Sequence, residues 1–330
     1  MKDRYLYLLL GLVFGVLIIL VLGKLDKGGI SLEYGENYQI GYQNIQGDLK
    51  IGPFGDIGWY EDILKSSEEK IDIFMYGFSF DRIKDFLEKL GYFGSNIRIL
   101  IESNKFRHSD EDYENLLKRF EDNESVQVEN ADGLGLNFQH AKTLLLDDKF
   151  IIQTANFTYS GFFRSKELFF ISEDENIRES LEYIFEKDWN EEHINEEKIH
   201  PNLLVCNINC REGFEDLING TEEELLVYSQ NFSDHSLINK VNNLKNTDVK
   251  VLLADNDTNY NTKEKIDNGK VRFQSEPYLH AKSFLVDNKY LVVGSSNFTQ
   301  NSIDNNREIN IIIKDEQIIE KYKNVFENSW

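Results

Sequence analysis

A chain of 330 residues is long enough for about two domains, and its hydrophobic content of 41% excludes a wholly disordered protein. Its formal net charge of −22 opposes non-specific attraction to phosphate backbones and anionic lipid surfaces, which argues against a general nucleic-acid-binding protein. Cys206 and Cys210 are spaced C-x3-C without the surrounding cysteines and histidines of a zinc site. Either a small disulfide or two structural thiols fits this spacing.

The N-terminal segment is apolar. Residues 5–23 are 19 positions without a charge, which at about 1.5 Å per residue nearly spans a hydrocarbon core of roughly 30 Å. The run is longer than a signal-peptide core and no A-x-A-like site follows it, so we predict a single-pass membrane protein with an uncleaved anchor over residues 1–23. Lys2 and Arg4 are balanced by two lysines after the span, and the N-terminal amine favours a cytoplasmic N-terminus with the soluble part extracytoplasmic.

Beyond the anchor, the Gly-rich residues 24–47 predict a tether, and the rest of the chain reads as two passes of strands and helices. In the first pass we predict strands at 49–51, 71–78, 97–101, 141–146, 150–154 and from Glu167, with helices at 59–65, 81–90, 110–120 and 177–189. The second pass repeats this order, with strands at 203–205, 224–228, 249–253, 271–274, 281–286 and 290–294, and a helix at 211–218. Such alternation predicts an α/β architecture with repeats at 48–195 and 196–330.

One set of polar residues occurs twice in the chain at nearly the same spacing. The two copies contain, in order, His140, Lys142, Asp147, Thr154, Asn156 and Glu167, and His280, Lys282, Asp287, Ser295, Asn297 and Glu308. In both copies Lys follows His by two residues, Asp follows His by seven, and Glu follows Asn by eleven. The second copy has one more residue between Asp and Asn. A polar set repeated in this way indicates chemistry.

These residue types suit reactions of phosphate esters. Histidine, with an ordinary pKa of about 6.5, can transfer protons or attack as a nucleophile near neutral pH. Lysine and asparagine provide charge and hydrogen-bond donors for a phosphate whose charge rises in the transition state. Residues i and i+2 of a strand share a face, so each Lys points the same way as its His. Each Glu can bond the far nitrogen of a His and fix its tautomer, and Tyr76 and Tyr228 on matching strands either line the cleft or pack in the core.

The second copy matches the signature H-x-K-x4-D-x6-G-[ST]-x-N at every specified position, and the chain therefore resembles the phospholipase D superfamily. The first copy departs from it by Gln153 in place of Gly, by Thr154 where Ser is common, and by one missing residue in its second strand. The resemblance covers nearly all of residues 49–330. It implies two phospholipase D-like repeats, each a mixed sheet flanked by helices, related by a pseudo-twofold axis with one active site between them in a monomer.

This resemblance implies a metal-independent phosphodiesterase that needs no cofactor. His140 would attack phosphorus to form a phosphohistidine, and His280 would protonate the leaving alcohol and then activate water or an acceptor alcohol. The implied roles of the other residues are phosphate binding for Lys142, Lys282, Asn156 and Asn297, orientation of the histidines for Glu167 and Glu308, and a structural role for Asp147 and Asp287.

Three functions fit the sequence. We predict a membrane-anchored enzyme that hydrolyses or transfers phosphatidyl groups, because the anchor would hold the site beside a phospholipid substrate. A tethered endonuclease of the same superfamily is the alternative, disfavoured because the chain lacks a basic stripe that would neutralise nucleic-acid phosphates. The departures of the first motif leave a third alternative, a non-catalytic phosphate-binding module. An apolar funnel beside the histidines would indicate lipid, and an open basic groove would indicate nucleic acid.

Overall fold

The computed structural model describes residues 41–103 and 109–330, with only the main chain described for residues 109 and 110. The predicted transmembrane anchor over residues 1–23 and the predicted tether up to residue 40 lie outside the described residues. Among the helices that the structure does describe, none is long and apolar enough to cross a membrane. The segment Tyr42–Trp330 forms one compact unit.

The last residues of the predicted tether pack against this unit. The buried ring of Tyr42 meets the ring of Tyr290 edge-on, with 5.5 Å between the centroids. The main-chain N–H of Gln43 donates to Asn202 Oδ1 at 3.0 Å, and Asn202 Nδ2 donates back to the carbonyl of Gln43 at 2.9 Å. The compact unit therefore includes residues 42–47, which the sequence assigned to the tether.

The first repeat contains a seven-stranded mixed sheet. Its strands are β1 (Asp48–Ile51), β2 (Lys70–Met75), β3 (Asn96–Ile101), β4 (Val126–Asn130), β5 (Thr143–Leu145), β6 (Phe150–Gln153) and β8 (Leu168–Ser172), while the short β7 (Ser165–Lys166) lies outside the sheet. The strand order is β1-β8-β6-β5-β2-β3-β4. Strands β2, β3 and β4 are parallel, and the other pairs are antiparallel. The mixture confirms the predicted sheet type.

The second repeat has the same topology. Its strands are β9 (Leu203–Val205), β10 (Glu224–Ser229), β11 (Asp248–Ala254), β12 (Lys270–Gln274), β14 (Lys282–Val286), β15 (Tyr290–Gly294) and β16 (Ile309–Ile313), and β13 (Tyr278–Leu279) pairs with β7 of the first repeat. The order β12-β11-β10-β14-β15-β16-β9 is that of the first sheet read from its other edge. The chain is therefore a structural duplication.

Helices flank both sheets. They are α1 (Gly58–Lys65), α2 (Asp81–Tyr92), α3 (Ser109–Phe120), α4 (Tyr159–Phe163), α5 (Glu175–Trp189), α6 (Cys210–Asn219), α7 (His235–Asn243), α8 (Asp257–Lys263), α9 (Gln300–Asp304) and α10 (Glu316–Ser329). Asp174 and Asp315 precede α5 and α10, and each carboxylate accepts the N–H three residues later, as an N-cap does. One hydrophobic core runs through both repeats, because Phe185 of α5 and Phe326 of α10 belong to the same buried cluster.

The hairpin that carries each motif shows where the first copy is shorter. Val286 pairs with Tyr290 across a three-residue turn, whereas the N–H of Leu146 bonds the carbonyl of Lys149 across a two-residue turn. The prediction that the second strand of the first copy lacks a residue is therefore wrong, since the shortening lies in the turn. After the turn, the residues of β6 and β15 correspond one to one, and Gln153 of the first repeat occupies the position of Gly294 in the second. The position of Asn156 relative to His140 is preserved for the same reason.

The two cysteines lie where β9 passes into α6. Cys206 and Cys210 form a disulfide, with their Cα atoms 4.5 Å apart. Both are buried, and Asn310 Nδ2 of β16 lies within 3.7 Å of each sulfur. Of the two alternatives that the spacing left open, the structure contains the disulfide.

Candidate active site

The main chain before each motif histidine is bonded to the other repeat. The N–H of His140 donates to the carbonyl of Arg307 at 2.8 Å, and the N–H of Arg307 donates to the carbonyl of Phe138 at 2.9 Å. In the other half, β13 pairs with β7, and the N–H of Ala281 donates to the carbonyl of Lys166 at 2.9 Å. His140 thus lies beside Arg307, the residue before Glu308, and His280 lies beside Lys166, the residue before Glu167.

The histidines and glutamates pair crosswise as a result. His140 Nδ1 lies 2.8 Å from Glu308 Oε2, and His280 Nδ1 lies 2.7 Å from Glu167 Oε1. The two histidine side chains are 13% and 14% exposed, while both glutamates are buried. Because a carboxylate only accepts hydrogen bonds, the hydrogen bond to Glu308 places the imidazole proton of His140 on Nδ1 and leaves Nε2 as the lone-pair atom. At His280 the approach of Glu167 favours the same tautomer, although the geometry of this contact is not that of a hydrogen bond. The sequence predicted glutamate partners for the histidines but not that they exchange between repeats.

Each glutamate has further hydrogen bonds. Thr154 Oγ1 donates to Glu167 Oε2 at 2.5 Å, and Asn306 Nδ2 donates to Glu308 Oε1 at 3.1 Å. Burial raises the pKa of Glu308, but the contact with His140 and the charge of Lys142 outweigh it and leave the pKa below its usual range. Glu308 is therefore an anion at neutral pH.

Both motif lysines are buried behind the histidines. Lys142 Nζ donates to the carbonyl of His140 at 2.6 Å, and Lys282 Nζ donates to the carbonyl of His280. Burial lowers the pKa of Lys142 to about 7 and that of Lys282 to about 8, although the carboxylates of Glu308 and Glu167 oppose the shift. When protonated, these two lysines place positive charge behind the two histidines.

Burial also keeps the histidines neutral. It lowers the pKa of His140 to about 4, because the charge of Glu308 only partly offsets the cost of charging a buried ring. Burial likewise lowers the pKa of His280, with the charge of Lys282 adding to the effect. Neutral imidazoles with a free Nε2 are nucleophiles and proton acceptors.

A cavity of about 470 Å³ opens over these residues. Its lining combines the two histidines and two asparagines of the motifs with aromatic, amide and hydroxyl side chains: Tyr76, Phe138, His140, Asn156, Gln230, Asn231, Thr258, His280, Asn297, Thr299, Asn301, Ser302 and Asn306. Lys142, Lys282, Glu167 and Glu308 lie behind this lining. Among the described residues, the lining contains no acidic or basic side chain other than histidine, so it is neither an apolar funnel nor a basic groove.

The asparagines of both motifs are available to a ligand. Asn156 Oδ1 and Asn297 Oδ1 are buried and find no hydrogen-bond partner within the described part of the chain. Buried polar atoms are nearly always paired, so an unpaired amide at the same place in both repeats indicates a bound group that completes it. A phosphate ester together with a hydroxyl or a water is one such group, because the amide N–H groups can donate to the phosphate oxygens while each Oδ1 accepts from the hydroxyl or the water.

The motif aspartates are structural, as the sequence predicted. Their carboxylates accept main-chain N–H groups in threes, from Glu68, Glu69 and Lys70 to Asp147 and from Glu222, Glu223 and Glu224 to Asp287. These bonds tie each motif hairpin to the segment that leads into the neighbouring strand. They lie away from the cavity, since neither aspartate lines it.

The tyrosines on the matching strands have different environments. Tyr76 lines the cavity, with its ring centroid 4.6 Å from that of His140, while Tyr228 is buried in the core against Phe326. The strand register explains the difference. Ile73 pairs with Leu144 and Val227 pairs with Phe284, and these two partners are each four residues after the motif histidine. Three residues further along, the counterpart of Tyr76 is therefore Gln230 and not Tyr228. Sequence analysis missed Gln230, Asn301 and Asn306, since single polar residues outside a motif look like surface.

Known proteins resemble this chain over most of its length. Residues 60–189 and 214–330, well over half of the chain, match the family model described as cardiolipin synthase, PLD-like domain. The mitochondrial cardiolipin hydrolase of Canis lupus familiaris is 42% identical over 53 residues, which are 16% of this chain and 21% of that protein. The Homo sapiens protein of the same name is 38% identical over 61 residues, 18% of this chain and 24% of that protein. The chain thus matches under a quarter of the length of these relatives.

Solved structures share the fold at low sequence identity. Polyphosphate kinase from Porphyromonas gingivalis superposes with a TM-score of 0.69 at 15% identity, over 86% of this chain and 50% of that one. Phosphatidylserine synthase from Haemophilus influenzae Rd KW20 superposes with a TM-score of 0.61 at 12% identity, over 84% and 85% of the two chains. With the family match, the duplicated fold and the paired motifs, this chain belongs to the cardiolipin synthase and PLD-like domain family of the phospholipase D superfamily of phosphodiesterases.

Proposed function

We propose that this protein cleaves the phosphodiester of membrane phospholipids through a phosphohistidine intermediate. The observation that carries the proposal is the crosswise pairing of His140 with Glu308 and of His280 with Glu167 at a single cavity. Each pair places a carboxylate against Nδ1 of one imidazole, and two imidazoles facing one phosphate can divide attack and proton transfer between them.

In the first step, Nε2 of His140 attacks phosphorus and the bond from phosphorus to the leaving oxygen breaks. The leaving alkoxide takes a proton from His280, which binding of the anionic phosphodiester has left protonated. Lys142 and Lys282 stabilise the charge on the phosphoryl oxygens from beneath, and the amides of Asn156 and Asn297 donate to these oxygens.

In the second step, water or an acceptor alcohol attacks phosphorus. Neutral His280 takes the proton of the attacking hydroxyl, the bond between phosphorus and Nε2 breaks, and His140 returns to its neutral state. Water gives hydrolysis and an alcohol gives transfer, so one site supports both outcomes. Glu167 and Glu308 hold the two rings through both steps.

Three observations support a phospholipid as substrate. The matched family is described as cardiolipin synthase and the curated relatives as cardiolipin hydrolases, both names that refer to a phospholipid. The apolar residues 5–23 would anchor a single-pass protein beside its substrate, with the soluble part extracytoplasmic. The amides and hydroxyls of the cavity suit the polar headgroup region. Both motifs in one chain allow a monomer to work.

A tethered endonuclease is the second candidate. The observation that favours it is the polar lining of the cavity, which lacks an apolar funnel among the described residues. The net charge of −22 weighs against it, because binding to nucleic acid depends on neutralising phosphates.

The test uses the full-length protein in EDTA. It is offered vesicles of cardiolipin, phosphatidylglycerol or phosphatidylcholine and, in parallel, single-stranded DNA. Released headgroup or transferred phosphatidyl that disappears in both His140→Ala and His280→Ala, but persists in the exposed control His235→Ala, is the expected result. Cleavage of DNA alone would replace the first candidate with the second, and inactivity on every substrate would favour a binding module.

A nitrophenyl phosphodiester separates the two histidine roles, because its leaving group needs no proton. His280→Ala should still form a phosphoenzyme and hydrolyse it slowly, while His140→Ala should form none. Acid-stopped reactions with labelled substrate measure the phosphoenzyme directly. The reverse pattern would exchange the roles of the two histidines.

A further inference from the structure

The two motif glutamates are held differently. On the side of Glu308, three amides form a chain of hydrogen bonds. Asn137 Nδ2 donates to Asn301 Oδ1 at 2.5 Å, Asn301 Nδ2 donates to Asn306 Oδ1 at 3.0 Å, and Asn306 Nδ2 donates to Glu308 Oε1 at 3.1 Å. The other oxygen of Glu308 holds His140 at 2.8 Å. Every amide of the chain therefore donates towards the carboxylate.

The described part of the first repeat has no counterpart of this chain of hydrogen-bonded amides. The positions equivalent to Asn137, Asn301 and Asn306, counted from the motif residues, are Pro277, Ser160 and Ser165. Proline offers no side-chain donor, and the two serine hydroxyls bond each other at 3.1 Å. Within the part of the chain that the structure describes, Ser165 makes no hydrogen bond to Glu167. The duplication thus departs from symmetry at the group that orients each histidine.

The direction of the chain has a physical consequence. Each hydrogen bond polarises the next amide, so the donor that reaches Glu308 is stronger than an isolated amide. A strong donor on Oε1 favours the anionic form of Glu308 and fixes the rotation of its carboxylate. The second oxygen, Oε2, then accepts the Nδ1 proton of His140 in one geometry. Asn306 lines the cavity but is only 3% exposed, so little water competes for this bond.

We propose that Asn306, ordered by Asn301 and Asn137, is a positioning residue that makes His140 the attacking histidine. The chain holds Nδ1–H of His140 on Glu308 and presents the Nε2 lone pair to phosphorus. His280 has no such amide chain behind its glutamate, since Glu167 is held by the single hydroxyl of Thr154, and it gives and takes the protons. This inference rests on the proposed phosphodiesterase function, and it adds a reason why two similar motifs take different roles.

The experiment compares Asn306→Ser, which installs the residue of the first repeat, with Ser165→Ala as the matched control, both in the full-length protein. With the nitrophenyl phosphodiester, Asn306→Ser should lower kcat about 10- to 100-fold with little change in KM, by analogy with the loss of an outer hydrogen-bond partner of a metal-binding histidine. The acid limb of its pH profile should move to higher pH, because Glu308 loses a bond that favours its anion. Ser165→Ala should change neither.

Nitrogen NMR of histidine-labelled protein gives a readout that does not depend on turnover. Wild type and Ser165→Ala should show one histidine, assigned with His140→Asn, as the pure Nδ1–H tautomer, and Asn306→Ser should show that histidine in a mixture of tautomers. Unchanged kcat and an unchanged tautomer in Asn306→Ser would overturn the proposal. If wild type proves inactive on every phosphodiester, the proposed function fails, and the tautomer alone then supports or overturns the role of Asn306.

A second variant covers the case in which Asn306→Ser does not fold. Asn301→Ser breaks the chain one step further from Glu308 and leaves Asn306 in place. It should shift the tautomer and kcat in the same direction by a smaller factor. A folded Asn301→Ser protein with wild-type kcat and tautomer would count against the chain acting as a unit.

Discussion

At the scale of single residues, the cavity lies above six ionisable side chains that are largely buried from solvent. Two glutamates, two lysines and two histidines meet there, and burial leaves both histidines neutral and lowers the pKa of both lysines. An arriving phosphodiester brings a negative charge into this group. It should therefore raise the pKa values of its neighbours, so that binding takes up protons.

That proton uptake predicts how oxyanion binding depends on pH. Lys142 and Lys282, with pKa values of about 7 and about 8, lose their charge as the pH rises from 7 to 9. An anion prefers the charged forms, so the Kd for tungstate should rise with pH, by up to about tenfold per unit for each proton taken up. Calorimetry in buffers of different ionisation enthalpy measures the protons. His140 is neutral throughout this range, so it does not lose its charge there. A Kd that does not depend on pH would contradict the lowered lysine pKa values.

Asp287 should affect stability without affecting chemistry. Its carboxylate accepts three main-chain N–H groups, and Asn in its place turns one acceptor oxygen into a donor that faces them. We expect Asp287→Asn to lower the free energy of unfolding by about 1–3 kcal/mol, with kcat unchanged below the melting transition. Urea unfolding and steady-state kinetics measure the two effects. Asp267→Asn, at an exposed loop position, is the control and should change neither. A specific loss of kcat in folded Asp287→Asn would give Asp287 a chemical role.

At the scale of elements, apolar runs were the reliable signal. The strands at 203–205 and 290–294 have their predicted bounds, and β2, β3 and β10 differ by only a few residues. The elements without such runs were missed, and so were strand β16 (INIII) and helix α7, which do carry apolar residues. Strand β4 alternates valine with polar residues, and helix α8, whose sequence DTNYNTK has no apolar stripe, is N-capped by Asn256 and held by buried Asn259. Such elements depend on tertiary contacts that a local pattern does not contain.

The candidate site also has a part that the sequence predicted and a part that it did not. Spacing alone predicted the eight motif residues that the fold now gathers, because matched positions on two similar strands must meet wherever the repeats face each other. The exchange of Glu167 and Glu308 between the repeats was beyond prediction. It depends on the pairing of β7 with β13 and of Gln139 with Arg307, contacts between segments far apart in the sequence.

Arg307 should be a strong determinant of stability at this junction of elements. Its guanidinium, 8% exposed, bonds both oxygens of buried Asp188 in α5 at 2.8 and 3.0 Å. Arg307→Met leaves the Asp188 carboxylate buried without its partner, which costs about 3–5 kcal/mol of unfolding free energy. Arg178→Met, which removes an i,i+4 pair on the helix surface, should cost below about 0.5 kcal/mol. Denaturant unfolding compares them, and equal losses would show that the Asp188 pair contributes no more than a surface pair.

At the scale of the whole molecule, the charge should set the salt dependence. With a net charge of −22, the protein repels anionic vesicles, and salt screens this repulsion over a Debye length of about 10 Å at 0.1 M. We expect kcat/KM on vesicles of anionic phospholipid to rise as salt increases from low to physiological concentration, and to change little on zwitterionic vesicles. Vesicle assays at constant pH measure both. A rate that falls with salt, as phosphate-neutralising proteins show, would instead point to nucleic acid.

The crosswise pairs also bear on how the protein is made. His140 and Glu308 are 168 residues apart, so the first half leaves the ribosome long before the carboxylate that orients its histidine. Until the last strands fold, that histidine has no fixed tautomer. The paired arrangement of the site is thus complete only after the second repeat has been made and folded. We expect a chain truncated before Glu308 to lack activity, because nothing would then fix the orientation of His140.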